Sequence, residues 1–360
     1  MDIFSQRINH VAFVTLNRPA ALNALSYEML GELQRLLAEF AADDAVRAVL
    51  IRGAGEKAFC AGGDIRALYQ SHRSGGLLHH EFFVAEYRLD YYLHRYPKPY
   101  VALLDGITMG GGMGIAQGSP LRIVGERTRM AMPETGIGLF PDVGAGYFLP
   151  RLPGALGTYL GLTGSDVRAA DALYARLADV YWPPAAVARI EQTFAELSWT
   201  GSSGADVRRA VQAHATTDFS APSLAALRPA IDTHFSKDSI AAILASLQGE
   251  RRPEFSSWAE QTVQLLRSRS PTMLGVTLRH LRLGRTRPLA DCFRTDLGLM
   301  RHCFVQGDVL EGVRALLIDK DKRPHWQPQR IEEVTDASVD AFFGEYWPAP
   351  VHPLAHLGSA

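Results

Sequence analysis

Glycines are concentrated in the segment MGGGMG, residues 109–114, directly after the apolar run YVALLDG. Glycine has no side chain, so a bound group can approach the main chain closely at such a segment. The following residues can begin a short helix, and N–H groups at a helix N-terminus stabilise a developing negative charge. The segment therefore predicts one donor of an oxyanion hole, in which two N–H groups bind one oxygen atom.

A second glycine segment, FCAGGDI at residues 59–65, supplies a candidate for the other donor. It follows the strand-like run AVLIRG and leads into the helix-like run DIRALYQ. Asp64 is therefore predicted to cap a helix, with the N–H of Gly63 facing a pocket. Both segments also fit ordinary turns that need a positive φ. Their shared position after a strand favours a common site, because ligands bind beyond the carboxyl ends of parallel strands.

Two carboxylates lie among glycines, prolines and apolar residues in MPETGIGLFPDVGAGYFLPRLPG, residues 132–154. In such surroundings the pKa of Glu134 or Asp142 tends to rise, which suits acid–base or nucleophilic work. The alternative is structural: Glu134 caps a turn and Asp142 caps the next helix. Residue chemistry alone leaves both interpretations open.

A dinucleotide site is another interpretation of residues 110–114, because a strand candidate precedes them and Glu126 ends the next one. The G-x-G-x-x-G/A pattern fails, however, whether it is counted from Gly110 or from Gly112. A P-loop is excluded, because no Gly-Lys-Ser/Thr follows the glycines.

Other hydrolytic and metal-binding motifs are also absent from the sequence. The segment GSSGA (201–205) has alanine where G-x-S-x-G needs its last glycine, and HHEFF (79–83) is not H-E-x-x-H. The segment DKDKRP (319–324) lacks the glycine and glutamate of a calcium loop. The 12 histidines show no ligand spacing, so no metal site is predicted.

Strands and helices alternate in the first part of the chain, which predicts an α/β domain with parallel strands. A helix should follow Ser26, because the apolar residues from Met29 to Phe40 recur on one helical face. Short β-branched runs bounded by Gly, Asn or Pro predict strands at residues 11–17, 48–53, 100–106 and 121–126.

From about Pro183 the strand signals fade, and helical patterns dominate, for example at residues 256–269, 271–284 and 308–320. We predict an α/β core at residues 1–195, a helical C-terminal region at residues 196–345 and a tail at residues 346–360.

Composition and charge are those of an ordinary soluble globular protein, with 47% hydrophobic and 21% charged residues. The net charge of −1 gives no indication of nucleic-acid binding. Cys60, Cys292 and Cys303 do not form a disulfide framework, and no leader or membrane-spanning run is visible. These features predict a cytoplasmic location and no membrane partner.

The segments LNRPAALNALS, FCAGGDI, GITMGGGMG and MPETGIGLFPDVG together resemble the crotonase (enoyl-CoA hydratase/isomerase) superfamily. MPETGIGLFPDVGAGYFLPRLPG and EGVRALLIDKDKRPHW (311–326) are similar to the branch that hydrolyses 3-hydroxyisobutyryl-CoA. The similarity extends from about residue 8 to residue 335. It implies a spiral of ββα units with a helical C-terminal region.

The resemblance also implies roles for individual residues. The N–H groups of Gly63 and Gly111 would bind the thioester oxygen of an acyl-CoA, and Glu134 and Asp142 would form the catalytic pair. Hydratases carry a further acid three positions after the middle glycine, where this chain has Gly114. Hydratase activity is therefore not the first expectation.

The resemblance further implies that Glu86 lines the acyl pocket and that Arg18 meets the nucleotide phosphates of CoA. The alternatives are a solvated helix face for Glu86 and an ordinary surface arginine for Arg18. The predicted substrate-binding residues are Arg18, Asn23, Ala24, Leu25, Gly62, Asp64, Glu86 and Gly111.

The leading hypothesis is hydrolysis of a short-chain 3-hydroxyacyl-CoA thioester, as in valine degradation. An enoyl-CoA hydratase or isomerase using Glu134 alone is the second hypothesis, and a non-catalytic acyl-CoA-binding module is the third. No cofactor is expected, because CoA is part of the substrate. Acyl-CoA is the expected partner, nucleic acid is not, and a homo-oligomer stays open.

Overall fold

The computed structural model describes residues 1–359, so Ala360, the last residue of the predicted tail 346–360, lies outside the described residues. The chain forms two compact units, each assembled from separate stretches. The first, here called the sheet unit, comprises Met1–Asp64, Leu89–Ala131 and Asp166–Ala225. The second, here called the helical unit, comprises Ile65–Arg88, Met132–Ser165 and the described chain from Ala226 onward.

The sheet unit contains two sheets. The larger has the strand order β1-β2-β3-β5-β7-β9, and the smaller has the order β4-β6-β8. Only the β1–β2 pair is antiparallel, and all other pairs are parallel. The strands are β1 (Ile3–Ile8), β2 (Val11–Leu16), β3 (Ala48–Gly53), β4 (Ala58–Cys60), β5 (Tyr100–Leu104), β6 (Ile107–Met109), β7 (Leu121–Val124), β8 (Arg129–Ala131) and β9 (Val180–Tyr181).

The central strands are almost uninterrupted apolar runs, because parallel strands are buried on both faces. Every residue of β5 is buried. Phe13 on β2 packs edge-to-face on Phe194, and the indole of Trp182 donates a hydrogen bond to the carbonyl oxygen of Val211 at 2.9 Å. Both contacts belong to the buried core of the sheet unit.

The helices of the sheet unit lie at Tyr27–Ala42, Gly111–Gln117, Ala169–Tyr174, Pro184–Val187, Ile190–Ala195 and Ser203–Gln212. The first is the helix predicted after Ser26, whose side chain accepts a hydrogen bond from the N–H of Met29. Its buried residues are the five of the predicted apolar face, Met29, Leu33, Leu36, Leu37 and Phe40, together with Leu30. A short 3₁₀ helix covers Pro19–Ala21.

The helical unit contains no strand among the residues described. Its helices are Ile65–Arg73, Leu78–His94, Ala145–Phe148, Leu156–Thr163, Ser223–Phe235, Ile240–Gln248, Pro253–Arg267, Pro271–Gly284, Leu289–Gln306, Val309–Val313 and Asp336–Asp340, two of which run past a boundary of the unit. Short 3₁₀ helices lie at Glu134–Ile137, Leu149–Arg151, Ile331–Glu333, Ala341–Phe343 and Ala349–Val351.

The predicted α/β class and the four predicted strands are confirmed, each strand within two residues of its expected end. The strands that were not predicted are mostly two or three residues long, too short for a period to show. The predicted helix at residues 308–320 is interrupted, because a π-helical turn at Arg314–Ile318 follows Val309–Val313. The linear boundaries at residues 195 and 345 stay predictions.

Candidate active site

The glycine segment 109–114 connects β6 to the helix Gly111–Gln117. Gly110 occupies the N-cap position with φ 51° and ψ −124°, a conformation that side chains disfavour. A Cβ atom on Gly112 would lie 2.3 Å from the carbonyl oxygen of Cys60, so only glycine fits there. The segment is glycine-rich because its main chain turns sharply and packs against β4.

The two glycine segments are in direct contact within the sheet unit. Gly62 has φ 102°, and a Cβ atom placed on it would lie 3.1 Å from the carbonyl oxygen of Met109 and 3.3 Å from the nitrogen of Gly111. The structure thus brings together the segments that the sequence singled out as sources of two N–H donors. Within residues 1–359, neither the N–H of Gly63 nor that of Gly111 donates a hydrogen bond to another main-chain group. No main-chain acceptor among these residues therefore occupies either N–H group, and their role as an oxyanion hole stays a prediction.

A third segment, residues 18–25, is attached to the same loops. The N–H of Leu25 donates to the carbonyl oxygen of Gly62 at 2.8 Å, and the N–H of Asp64 donates to the carbonyl oxygen of Leu25 at 2.9 Å. The next residue back, Ala24, accepts a hydrogen bond on its carbonyl oxygen from the guanidinium of Arg18 at 2.7 Å. The predicted substrate-binding residues of the sheet unit therefore lie side by side.

Asn23 and Arg18 hold this segment in place. Asn23 has φ 57°, and its buried side chain donates to the carbonyl oxygens of Ala54 and Ala58. Arg18 is 23% exposed and lies 3.0 Å from a carboxylate oxygen of Asp64. Arg18 is thus neither free nor simply solvated, and contact with CoA phosphates stays a prediction.

Glu134 begins the 3₁₀ helix Glu134–Ile137 of the helical unit. Its side chain is buried, and Oε2 has no hydrogen-bond partner within residues 1–359. The turn is closed by the main chain instead, because the N–H of Leu139 donates to the carbonyl oxygen of Glu134. Burial, with a smaller contribution from the charge of Asp142, raises the pKa of Glu134 well above its usual value.

The 3₁₀ helix is held by later parts of the chain. The N–H of Ser270 donates to the carbonyl oxygen of Thr135 at 3.0 Å, and the Thr135 hydroxyl donates to the carbonyl oxygen of Leu162. A Cβ on Gly312 would lie 2.3 Å from the main chain of Ile137. Residues more than a hundred positions away in the sequence therefore determine where the Glu134 carboxyl group lies.

Asp142 is equally buried and does not cap the next helix, whose N-cap is Gly144. Its Oδ2 accepts a hydrogen bond of 2.6 Å from the hydroxyl of Tyr87. Burial raises the pKa of Asp142 to about 7, the Tyr87 hydrogen bond opposes that rise, and the charge of Asp296 adds to it. The side chain of Asp142 is therefore able to give or take a proton near neutral pH.

Glu86 lies on the helix Leu78–His94 and is 2% exposed, so the alternative of a solvated helix face is wrong. Its charge, together with the larger effects of burial, Asp142 and Asp296, raises the pKa of Tyr87 well above the usual value. The group formed by Glu86, Tyr87, Glu134, Asp142 and Asp296 is here called the carboxyl cluster. All five belong to the helical unit.

Three residues in and beside the carboxyl cluster were not predicted from the sequence: Tyr87, Asp296 and the buried His280 that lies against Asp296. Tyr87 follows directly after Glu86, but nothing in the sequence distinguishes it from the neighbouring tyrosines. A signal for Asp296 was present, because it falls on the apolar face formed by Phe293, Leu297 and Met300. An acid on a buried helical face needs a partner or a role.

A profile of the enoyl-CoA hydratase/isomerase family matches residues 11–343. Among curated proteins, the mitochondrial 3-hydroxyisobutyryl-CoA hydrolase of Gallus gallus is 39% identical over 95% of this chain and 88% of its own length. The 3-hydroxyisobutyryl-CoA hydrolase 1 of Arabidopsis thaliana is 38% identical over 95% of this chain and 91% of its own length.

Two solved structures cover nearly the whole chain. One is titled a carnitinyl-CoA dehydratase from Mycobacterium thermoresistibile, with a TM-score of 0.87, 38% identity and coverage of 96% of this chain and 97% of that one. The other is titled an enoyl-CoA hydratase from Rhodobacter sphaeroides 2.4.1, with a TM-score of 0.85, 34% identity and coverage of 96% and 98%. The predicted crotonase-like fold is thereby confirmed.

No helix among residues 1–359 has both the length and the apolar character needed to cross a bilayer. The predicted cytoplasmic location stays a prediction, since the Gallus gallus relative is described as mitochondrial.

Proposed function

This chain belongs to the enoyl-CoA hydratase/isomerase family, and from that premise we propose that it hydrolyses 3-hydroxyisobutyryl-CoA to 3-hydroxyisobutyrate and free CoA. The observation that carries the proposal is the buried pair Glu134 and Asp142, each with a raised pKa. It is supported by relatives from animals and plants that share about two fifths of the sequence and carry this name. Valine breakdown is the process that such a reaction would serve.

In the proposed reaction, the thioester carbonyl oxygen accepts hydrogen bonds from the N–H groups of Gly63 and Gly111. A donor of this kind contributes about 3 kcal/mol of transition-state stabilisation in other acyl-transfer enzymes. The two segments that carry these amides are in contact, and both amides are free of main-chain acceptors within residues 1–359. This arrangement suits a single oxygen atom that becomes negative.

Glu134 acts on the carbonyl carbon by one of two routes. As a nucleophile it forms a mixed anhydride, which water then opens; as a general base it takes a proton from an attacking water. Either route needs an ionised carboxylate, whose unpartnered Oε2 is poorly solvated and therefore reactive. The raised pKa means that the ionised form is favoured only at higher pH.

Asp142 is proposed to supply the proton that the departing CoA thiolate requires. A pKa of about 7 keeps a substantial part of Asp142 protonated at neutral pH, which an exposed aspartate would not achieve. The hydrogen bond from Tyr87 keeps the carboxyl group in one orientation. Glu86 is proposed to bind the 3-hydroxyl group of the acyl chain, which would let the enzyme discriminate against esters that lack it.

A hydratase or dehydratase is the second candidate, because the two solved structures described above carry those titles. The sequence speaks against it, since hydratases of the superfamily place an acid where this chain has Gly114. Gly114 lies within the helix Gly111–Gln117, whose sequence GGMGIAQ contains no acidic side chain that could replace the missing acid.

Separate incubations with 3-hydroxyisobutyryl-CoA and crotonyl-CoA distinguish the candidates. A thioester hydrolase releases free thiol from the first substrate. A hydratase removes the enoyl absorbance of the second without releasing thiol, and a binding module does neither but retains the ester in calorimetry. Failure to release thiol from 3-hydroxyisobutyryl-CoA would contradict the proposal. Isobutyryl-CoA, which lacks the hydroxyl group, is the matched control for acyl recognition.

A further inference from the structure

The turn that carries Asp142 has an unusual main-chain conformation. Val143 has φ 49° and Gly144 has φ 82°, so two consecutive residues lie in the left-handed region. Valine is β-branched, and such residues adopt positive φ values only where the surroundings enforce them. Some other part of the helical unit must therefore hold this turn in place.

Asp296 makes the decisive contact. It is fully buried on the helix Leu289–Gln306, and its Oδ2 accepts a hydrogen bond of 2.9 Å from the N–H of Gly144. One turn earlier on the same helix, the ring of Phe293 lies against Gly144, where an added Cβ would be 3.0 Å from the ring. The carboxylate of Asp296 and the ring of Phe293, both on the helix Leu289–Gln306, thus contact Gly144, two positions after Asp142.

His280 braces Asp296 from the helix Pro271–Gly284. Its Nε2 lies 2.8 Å from Oδ1 of Asp296, and both side chains are at most 1% exposed. Neither ring nitrogen makes a well-aligned hydrogen bond within residues 1–359, so His280 supports Asp296 by close packing rather than by a directed hydrogen bond. Gly146 leaves room for the ring, because a Cβ there would lie 2.4 Å from Nε2.

We propose that Asp296, braced by His280, is a positioning residue that holds the turn 142–144 and thereby aims the Asp142 carboxyl group at the reacting thioester. This inference rests on the proposed hydrolase function. Asp296 does not itself touch the substrate in this scheme. It acts through the main chain of the turn, and through its charge on Asp142.

The charge of Asp296 gives the proposal a second signature. The side chains that act on the pKa of Asp142 are Tyr87 from one helix and Asp296 from another, and the charge of Asp142 in turn raises the pKa of Glu134 and of Cys303. Among them the Tyr87 hydroxyl lowers the pKa of Asp142, whereas the charge of Asp296 raises it. Loss of that charge alone should therefore move the titration of Asp142 to lower pH.

Three variants separate the two effects. Asp296→Ala removes both the acceptor for Gly144 and the charge, whereas Asp296→Asn keeps an acceptor oxygen and removes only the charge. His280→Gln removes the contact between the imidazole ring and Asp296. Asp206→Asn is the matched control, because Asp206 is another fully buried aspartate but belongs to the sheet unit. Thiol release from 3-hydroxyisobutyryl-CoA is measured against pH, with circular dichroism as a check of folding.

Asp296→Ala should lower kcat by about 100-fold, as expected for a misplaced reacting group, with a much smaller change in KM. Asp296→Asn should keep most of kcat. In its pH–rate profile, the limb assigned to Asp142, which Asp142→Asn abolishes, should shift to lower pH. The kcat of His280→Gln should lie between those of the two Asp296 variants, and Asp206→Asn should leave both kcat and the Asp142 limb unchanged.

Wild-type kcat in Asp296→Ala, or an unmoved limb in Asp296→Asn, would overturn the proposal. If Asp296→Ala does not fold, the position of the Asp142 limb in the pH–rate profile of Asp296→Asn decides whether the proposal holds. If the wild-type protein releases no thiol, the proposed function fails, and a crystal structure of Asp296→Ala then tests positioning alone: an unchanged turn 142–144 overturns it.

Discussion

The sheet unit and the helical unit contribute different chemistry by different means. The sheet unit offers main-chain N–H groups on glycine segments, whose geometry follows from strand ends and helix starts nearby in the chain. The helical unit offers buried side-chain acids, whose orientation depends on helices far away in the sequence. Donors that use the main chain leave a sequence motif, whereas acids that depend on packing leave only scattered residues.

The electrostatic consequences differ as well. A main-chain N–H has no titratable proton in the accessible range, so the sheet unit's contribution should not depend on pH. Within the carboxyl cluster, Glu134 and Asp142 have raised pKa values, so the contribution of these two side chains should depend strongly on pH. Variants in the two units should therefore differ in how their loss of activity depends on pH.

Glu134→Gln should lower thiol release by about 10³–10⁴-fold, because amide nitrogen and oxygen can neither attack the carbonyl nor accept the proton. Affinity for the CoA ester, measured by calorimetry, should change little. Glu260→Gln is the control: this exposed acid lies on the helix Pro253–Arg267 of the same unit. Turnover at the wild-type rate in Glu134→Gln would refute the assignment of the helical unit as the source of the reacting group.

Gly111→Pro should lower kcat by about 10²–10³-fold, because proline removes the proposed N–H donor. Gly111 is the first residue of its helix, a position that tolerates proline. Ser203→Pro, at the first residue of the helix Ser203–Gln212, introduces the same change away from the glycine segments and should retain full activity. The loss in Gly111→Pro should be the same at every pH; a pH-dependent loss would contradict the contrast between the units.

Tyr87→Phe should shift the pH limb assigned to Asp142 to higher pH by about one pH unit. The Tyr87 hydroxyl donates to the ionised form of Asp142 and lowers its pKa, so removal of that hydroxyl raises the pKa. This direction is opposite to that expected for Asp296→Asn. A shift in the same direction for both variants would be incompatible with the contacts described here.

Asp142→Asn should change how thermal stability depends on pH. Between its ordinary pKa of 3.8 and the folded value of about 7, wild-type Asp142 holds a proton when folded and loses it on unfolding. Its contribution to stability is therefore complete below the lower value and is lost as pH rises through the higher one. The Tm of Asp142→Asn minus that of wild type should increase by a few degrees from about pH 4 to about pH 8.

Asp206→Asn provides the opposite sign in the same measurement. Hydrogen bonds from Thr200 lower the pKa of Asp206, so its stabilising contribution appears as pH rises and is absent in strong acid. The Tm difference between Asp206→Asn and wild type should therefore fall with rising pH. Parallel slopes for the two variants would show that the Asp142 carboxyl group does not titrate as described.

Sequence alone predicted the features of this protein that are local. A glycine is required wherever the main chain turns at positive φ or touches another segment, as at Gly62 and Gly110, so these positions form readable motifs. The α/β class, the four central strands and the capped helix after Ser26 followed from periodicity over a few residues. Residue chemistry singled out Glu134 and Asp142 as candidate acids, and the resemblance to a known superfamily added their implied catalytic roles and Glu86.

The tertiary structure decided what depends on distant residues. Glu86 could have lain on a solvated face, and only packing of its helix shows that it is buried. Tyr87 lies 55 positions from Asp142 in the sequence and donates a hydrogen bond to it directly. Asp296 lies 154 positions from Asp142 and acts on it through the N–H of Gly144 and through its charge. Proton affinity in a protein interior is set by burial and neighbouring charges, and neither is a property of any short stretch of sequence.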